Sequence, residues 1–103
     1  MEHNPYDLFK QECPELAARF DDLVAAQRSL PGLEPKTRQL INIAIQSANR
    51  TRKGVYFHAR MARDAGASWQ EIVAAVAMNL RLSGLGPVLE CLPSALEALG
   101  EPS

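Results

Sequence analysis

The side chain best suited to chemistry in this sequence is the imidazole of His58. It lies in segment 55–66, where apolar residues recur at the three- and four-residue spacing of one helix face and His58 shares their stripe. Because histidine titrates near neutrality, such an imidazole can take up and release a proton at physiological pH. The segment is compatible with a general acid or base, and the alternative is a core histidine held by a hydrogen bond to Gln39 or Asn42.

A basic junction precedes this helix. Arg50, Arg52 and Lys53 cluster just before a helix start expected near Val55, and Tyr56 follows. Cationic side chains beside the free N–H groups of a helix start can bind a carboxylate, and a tyrosine hydroxyl can hydrogen-bond a ligand. We predict that Arg50, Arg52, Lys53 and Tyr56 bind a small anionic substrate. Alternatively, the three cationic residues form a solvated basic turn, and Tyr56 is a partly buried aromatic residue without a ligand.

His58 and the basic junction are predicted to form one anion-binding site. A helix that begins near Val55 puts His58 about one turn in, roughly 5 Å along the axis from the helix start. Gln39 is predicted to share the site, either by orienting a ligand or by pairing with His58. His58 and Gln39 are therefore the predicted catalytic residues.

The two cysteines offer little for catalysis. Cys13 and Cys91 are far apart and fit no metal or redox spacing. We predict free thiols in a reducing compartment, with a Cys13–Cys91 disulfide as the alternative. No metal site and no cofactor are expected.

Helices are the elements that must position these residues. A proline near the first position opens two of them, and Gly66 followed by a Ser68–Glu71 capping box separates two others. A short, irregular or briefly helical lead-in precedes them. The predicted helices cover residues 14–29, 34–49, 55–66, 68–82 and 87–99.

Length, composition and charge indicate the fold class and the kinds of partner to expect. A chain of 103 residues rich in alanine and leucine predicts one all-α domain of about five to six helices. Its net charge of −1 gives no general attraction to nucleic acid or to an anionic membrane. No apolar run approaches the roughly 20 residues that span a bilayer, so a cytoplasmic protein is expected.

Segment 68–82 is apolar nearly all round. A helix without a clear polar face must be covered on several sides, and a core this small cannot surround it. We therefore expect a partner subunit to provide part of the cover, in a homo-oligomer.

Several short motifs, in order, carry a family resemblance. They are Lys36 to Ile41, His58 with Ala62, Gly66-Ala67, Glu71-Ile72, and Gly84 with Gly86-Pro87. From about Leu33 to Leu99 the sequence resembles the carboxymuconolactone decarboxylase and alkylhydroperoxidase D superfamily, after an N-terminal helical segment 1–32. The resemblance implies a compact, orthogonal, AhpD-like helical domain and a homo-hexamer built as a trimer of dimers.

This sequence departs from the redox-active members of that superfamily. In them, cysteines stand seven and four residues before the histidine, and a glutamate stands twelve residues before the first cysteine. Those places hold Thr51, Gly54 and Gln39 here. Peroxide reduction by that route needs a nucleophilic thiolate and a resolving thiol, which threonine and glycine cannot supply. Gln39 then has one more interpretation, as a polar residue that fills the place of the lost acid.

Three functions remain open at this stage. The first is a cofactor-free lyase that acts on a small carboxylated lactone, as the decarboxylase branch does, with His58 as acid or base. The second is an alkylhydroperoxidase or peroxiredoxin-type antioxidant activity, which the missing cysteine pair disfavours. The third is a non-catalytic, oligomeric, ligand-binding member of the family.

Overall fold

The computed structural model describes residues 4–100, and every regular element in that range is a helix. Seven helical segments occur there, one of them the single turn α6, so the prediction of an all-α fold with five to six helices is confirmed. The helices are α1 Pro5–Glu12, α2 Pro14–Arg28, α3 Pro35–Ala48, α4 Arg52–Asp64, α5 Trp69–Ala77, α6 Asn79–Leu82 and α7 Leu85–Leu99.

Local sequence signals fix several of the helix ends. Proline occupies the first position of α2 and of α3, where its missing N–H costs no hydrogen bond. The capping box at α5 is present: the Ser68 hydroxyl accepts from the Glu71 N–H at 3.1 Å, and the Glu71 carboxylate accepts from the Ser68 N–H at 2.8 Å. Gly66 before it has a φ of 98°, which glycine adopts without strain.

Helix α4 begins three residues earlier than expected. The chain reverses after α3 through Arg50, whose φ of 58° is left-handed, and α4 starts at Arg52. Arg52 and Lys53 are good helix formers, which favours this earlier start. Gly54 in the same first turn does not prevent it. The prediction of a start near Val55 is therefore wrong by almost one turn.

The helix predicted over residues 68–82 is broken at Met78 into α5 and α6. The buried amide of Asn79 donates to the carbonyl oxygens of Ala44 and Val76, each at 3.2 Å, and the Ser83 hydroxyl donates to its oxygen at 2.8 Å. An asparagine that bonds to backbone groups in this way competes with the regular helical pattern. The result is an interruption of the helix next to a side chain that is anchored to α3.

The chain divides into two compact units, one up to Gly32 and one from Leu33 onward. In the first, α1 and α2 form a pair in which the Tyr6 hydroxyl donates to the Asp21 carboxylate and Ala17 is buried. The single-domain organisation expected from length stays a prediction.

The second unit, α3 to α7, contains the main core. Its centre consists of small and branched side chains from all of the longer helices, which lets them pack closely. The fully buried members are Ile43, Val55, Ala59, Ala62, Ile72, Val76, Cys91 and Ala95.

Not every apolar residue of this unit reaches the core. Met78 and Leu82 on the α5–α6 segment are 63% and 71% exposed, and Ile41 on α3 is 39% exposed. Leu80, between Met78 and Leu82, is 55% exposed, so the segment predicted to need cover on several sides is not fully covered. Between residues 4 and 100, no helix combines the length and apolarity needed to span a bilayer.

Candidate active site

His58 lies on α4 beside the buried residues Val55, Ala59 and Ala62, and it is itself only partly buried. Its Nδ1 atom is 2.7 Å from Oε1 of Gln39 on α3. The turn at Arg50 folds α4 back against α3, which is how residues nineteen apart in sequence come into contact. The structure therefore brings the two predicted catalytic residues together.

The orientation of the Gln39 amide favours one tautomer of the His58 ring. Asn42 also donates to Gln39 Oε1, at 3.5 Å, so this oxygen is an acceptor on both sides. An amide oxygen cannot donate, so with the Gln39 amide in this orientation the contact is a hydrogen bond from Nδ1 of His58 to Oε1. In the neutral ring, Nε2 is then left with a lone pair and is the basic atom of the site.

Burial lowers the pKa of His58 below its usual value. The imidazole is therefore predominantly neutral at pH 7, with Nε2 ready to accept a proton. Phe57 and Met61 are 55% and 44% exposed on the adjoining side of α4, so the histidine is bordered by apolar surface. This arrangement suits a general base more than a permanent cation.

The basic junction is engaged elsewhere. Arg50 Nη1 lies 3.4 Å from Oε1 of Glu90, and Arg52 Nε lies 3.4 Å from Oε2 of the same carboxylate, on α7. Gly86 leaves space for the Arg50 guanidinium, because a Cβ at position 86 would collide with that guanidinium. Both arginines are thus directed toward α7, and Lys53 is exposed.

Tyr56 is partly buried among its neighbours on α4. Its ring meets Phe57 edge to face at 5.3 Å between centroids, and the Arg60 guanidinium lies 5.8 Å from its centroid. Arg60 Nη1 donates to the Tyr56 hydroxyl at 3.5 Å.

The distance between the predicted parts of the site is larger than expected. Since α4 begins at Arg52, His58 lies six residues in, about 9 Å along the axis rather than about 5 Å. Sequence reasoning also missed Glu90, which is forty residues from Arg50 and carries no local signal of its role. A single anion site that includes His58, Arg50, Arg52, Lys53 and Tyr56 stays a prediction.

The cysteines are free thiols, as predicted. Cys91 is buried with its Sγ 3.8 Å from the carbonyl oxygen of Ser47, and burial raises its thiol pKa. A thiol of this kind is a poor source of thiolate. Among residues 4–100, no cluster of three histidine, cysteine or carboxylate side chains could hold a metal ion.

An open groove that the sequence did not reveal lies between α3, α5 and α6, with a volume of about 540 Å³. Gln39 and His58 do not line it. Its apolar lining consists of Leu40, Ile41, Ala44, Ala74, Ala75, Met78 and Leu82.

Comparison with known proteins agrees with this fold. The model of the Carboxymuconolactone decarboxylase family matches residues 14–97, and the chain therefore belongs to that family. A similar solved structure is that of apo-lpg0406, a carboxymuconolactone decarboxylase family protein from Legionella pneumophila. It shares 30% sequence identity and a TM-score of 0.75, over 89% of this chain and 81% of the Legionella chain. No curated protein is detectably similar to the chain.

Proposed function

We propose that this protein is a cofactor-free lyase of the carboxymuconolactone decarboxylase type, in which His58 Nε2 transfers a proton on a small carboxylated lactone or a related anion. The 2.7 Å contact between His58 Nδ1 and Gln39 Oε1 is the observation that supports this proposal most strongly. It sets the ring orientation and leaves Nε2 as the reacting atom. Gln39 acts through His58 and is a positioning residue.

Proton transfer is the main chemical step that the protein must assist in this reaction. Loss of CO₂ from a carboxylated lactone leaves an electron pair on carbon that the conjugated carbonyl can accept. A net proton must then be delivered to carbon, and a general acid or base at the site typically contributes 10²–10⁴-fold to such a step. In this step the imidazole would take up a proton from solvent at Nε2 and deliver it to the carbon that has lost CO₂, which returns the ring to its neutral form.

The basic junction is proposed to bind the substrate carboxylate. Arg52 is the best placed of the three cations, because it lies at the first position of α4, beside the free N–H groups of the helix start. The Arg52 guanidinium is already paired with the Glu90 carboxylate, so a substrate would compete with Glu90 for Arg52.

A thiol peroxidase finds no support in the surroundings of α4. Gly54 stands where redox-active relatives have their second cysteine, and a Cβ there would lie 2.6 Å from Cδ of Gln46. The Gln46 amide thus fills the place where a thiol side chain would begin.

Self-association is proposed as well, as a homo-oligomer of the hexameric kind that the family resemblance implies. The exposed Met78 and Leu82 support it, since apolar side chains of this size favour contact with a partner over water.

The test of catalysis is turnover of candidate carboxylated lactones by the wild type and by His58→Ala, followed as CO₂ release. We expect His58→Ala to lower kcat by about 100-fold or more, because it removes the proton-transfer group. Calorimetry with the same compounds should show similar Kd values for both proteins. Turnover unchanged in His58→Ala would contradict the proposal, as would the absence of turnover by the wild type with every lactone that it binds.

A further inference from the structure

Asn42 follows Gln39 by three positions on α3, so the two side chains lie on the same side of the helix. Both are partly buried. Asn42 Nδ2 lies 3.5 Å from Gln39 Oε1, the same oxygen that is 2.7 Å from His58 Nδ1. The three side chains therefore form one hydrogen-bonded series, called here the Asn42–Gln39–His58 network.

The two amides of this network depend on each other. A carboxamide has an acceptor at one end and two donors at the other, so turning it over exchanges the groups that its neighbours meet. If the Gln39 amide alone turned over, its NH2 group would face the NH2 group of Asn42. The Gln39 amide can therefore turn over favourably only when the Asn42 amide turns over as well.

Two self-consistent arrangements of the network follow, and they have opposite tautomers of His58. In the arrangement that the structure has, Gln39 presents its oxygen to the ring and Nδ1 donates. In the other arrangement, Gln39 presents its NH2 group, which donates to an unprotonated Nδ1, and the ring carries its hydrogen on Nε2. Whether Asn42 offers a donor or an acceptor to Gln39 separates the two.

We propose that Asn42 is a positioning residue, which selects through the Gln39 amide the ring nitrogen of His58 that carries hydrogen. With Asn42 as the donor, Nε2 of His58 stays unprotonated. The proposal rests on the function proposed above, because the tautomer affects turnover only if Nε2 is the reacting atom. The tautomer itself can be measured without a substrate, so the two proposals can fail separately.

This role does not require a strong bond. A distance of 3.5 Å is longer than the usual N–H···O distance, so we expect the bond from Asn42 to contribute little to stability. What matters is the difference between the two orientations of Gln39, of which one gives Asn42 an acceptor and the other opposes two donors. The effect of Asn42 should therefore be visible in the spectrum of the ring.

Asn42→Asp is the test, because the aspartate side chain has nearly the same shape and its carboxylate can only accept. Gln39 should then turn its NH2 group toward this carboxylate and toward His58 Nδ1. Nitrogen-15 NMR, recorded above the titration midpoint of the ring, should show an unprotonated Nδ1 and a protonated Nε2, the reverse of the wild type. For a lactone that the wild type turns over, kcat should fall about 10-fold or more.

Gln46→Glu is the matched control. Gln46 is also partly buried on α3, one turn beyond Asn42, and its side chain lies against Gly54. The substitution adds the same charge to this helix without giving the Gln39 amide a new acceptor, so the ring should keep the wild-type tautomer. Hydrogen retained on Nδ1 in Asn42→Asp would overturn the proposal, as would a reversed tautomer in Gln46→Glu.

Asn42→Leu gives a second test that does not depend on the folding of Asn42→Asp. It removes the donor without supplying an acceptor, so both orientations of Gln39 should be populated and the two ring-nitrogen shifts should move toward each other. Unchanged shifts would overturn the proposal. A reversed tautomer in Asn42→Asp with unchanged kcat would instead contradict the function proposed for His58 and support the positioning role of Asn42.

Discussion

At the scale of single residues, the site depends on how one amide constrains one imidazole. Gln39 Oε1 accepts from both Asn42 and His58, and this contact favours the tautomer of His58 that carries hydrogen on Nδ1. Partial burial then opposes the charged form of His58, which lowers its pKa and keeps Nε2 unprotonated. Both effects act on the same proton equilibrium.

Substitutions at Gln39 should separate these effects. In Gln39→Glu, a carboxylate beside Nδ1 stabilises the imidazolium and raises the pKa of His58, so the acid limb of the kcat/KM profile should move to higher pH. In Gln39→Ala the ring loses its orientation, and we expect kcat to fall about 10-fold with a smaller change in KM, in line with the usual contribution of a supporting hydrogen bond.

Gln70→Ala on the exposed face of α5 is the control for these variants, and it should leave the profile unchanged. If Gln39→Glu lowers activity without moving the acid limb, Gln39 has only a structural role.

At the scale of elements, the connection between α3 and α4 is tied to α7. Arg50 and Arg52 share the carboxylate of Glu90, and Gly86 on the same helix leaves space for the Arg50 guanidinium. These are partly exposed ion pairs, whose contribution to stability is small. Their more important consequence is that Glu90 competes with a bound anion for the Arg52 guanidinium.

Glu90→Gln should therefore affect binding more than folding. Removing the competing charge is expected to tighten carboxylate binding several-fold and to lower the free energy of unfolding by at most about 1 kcal/mol. Calorimetry with a carboxylated lactone and urea unfolding measure the two quantities. Glu97→Gln, an exposed change on the same helix, is the control. Weaker binding in Glu90→Gln would show that Arg52 does not hold the substrate carboxylate.

The helix ends show where sequence reasoning succeeds. Proline at the first position of α3 and the Ser68–Glu71 box are local signals, complete within four residues, and the structure has both. The break at Met78 was not predictable in this way. It depends on the contact of Asn79 with Ala44, thirty-five residues away, which exists only once α3 and α5 are packed.

At the scale of the whole molecule, some parts of the candidate site could be predicted from the sequence, and others depend on contacts between distant helices. A hydrogen bond from His58 to Gln39 or Asn42 could be anticipated, because α3 and α4 are neighbours in sequence and each has a polar residue beside its apolar stripe. The engagement of Arg50 by Glu90 and the groove between α3 and α6 could not, since they arise from the packing of distant helices. Family membership, found independently, agrees with the short motifs from Lys36 to Pro87.

The proposed function requires that His58 is a neutral base whose Nε2 atom is free to react. Nitrogen-15 NMR of the histidine ring tests it directly, because protonated and unprotonated ring nitrogens have well-separated shifts. At pH 7 we predict a protonated Nδ1 and an unprotonated Nε2, with a titration midpoint below 6.5. His58→Ala identifies the resonances. A ring that carries its proton on Nε2, or one that titrates above 6.5, would contradict the role proposed for His58.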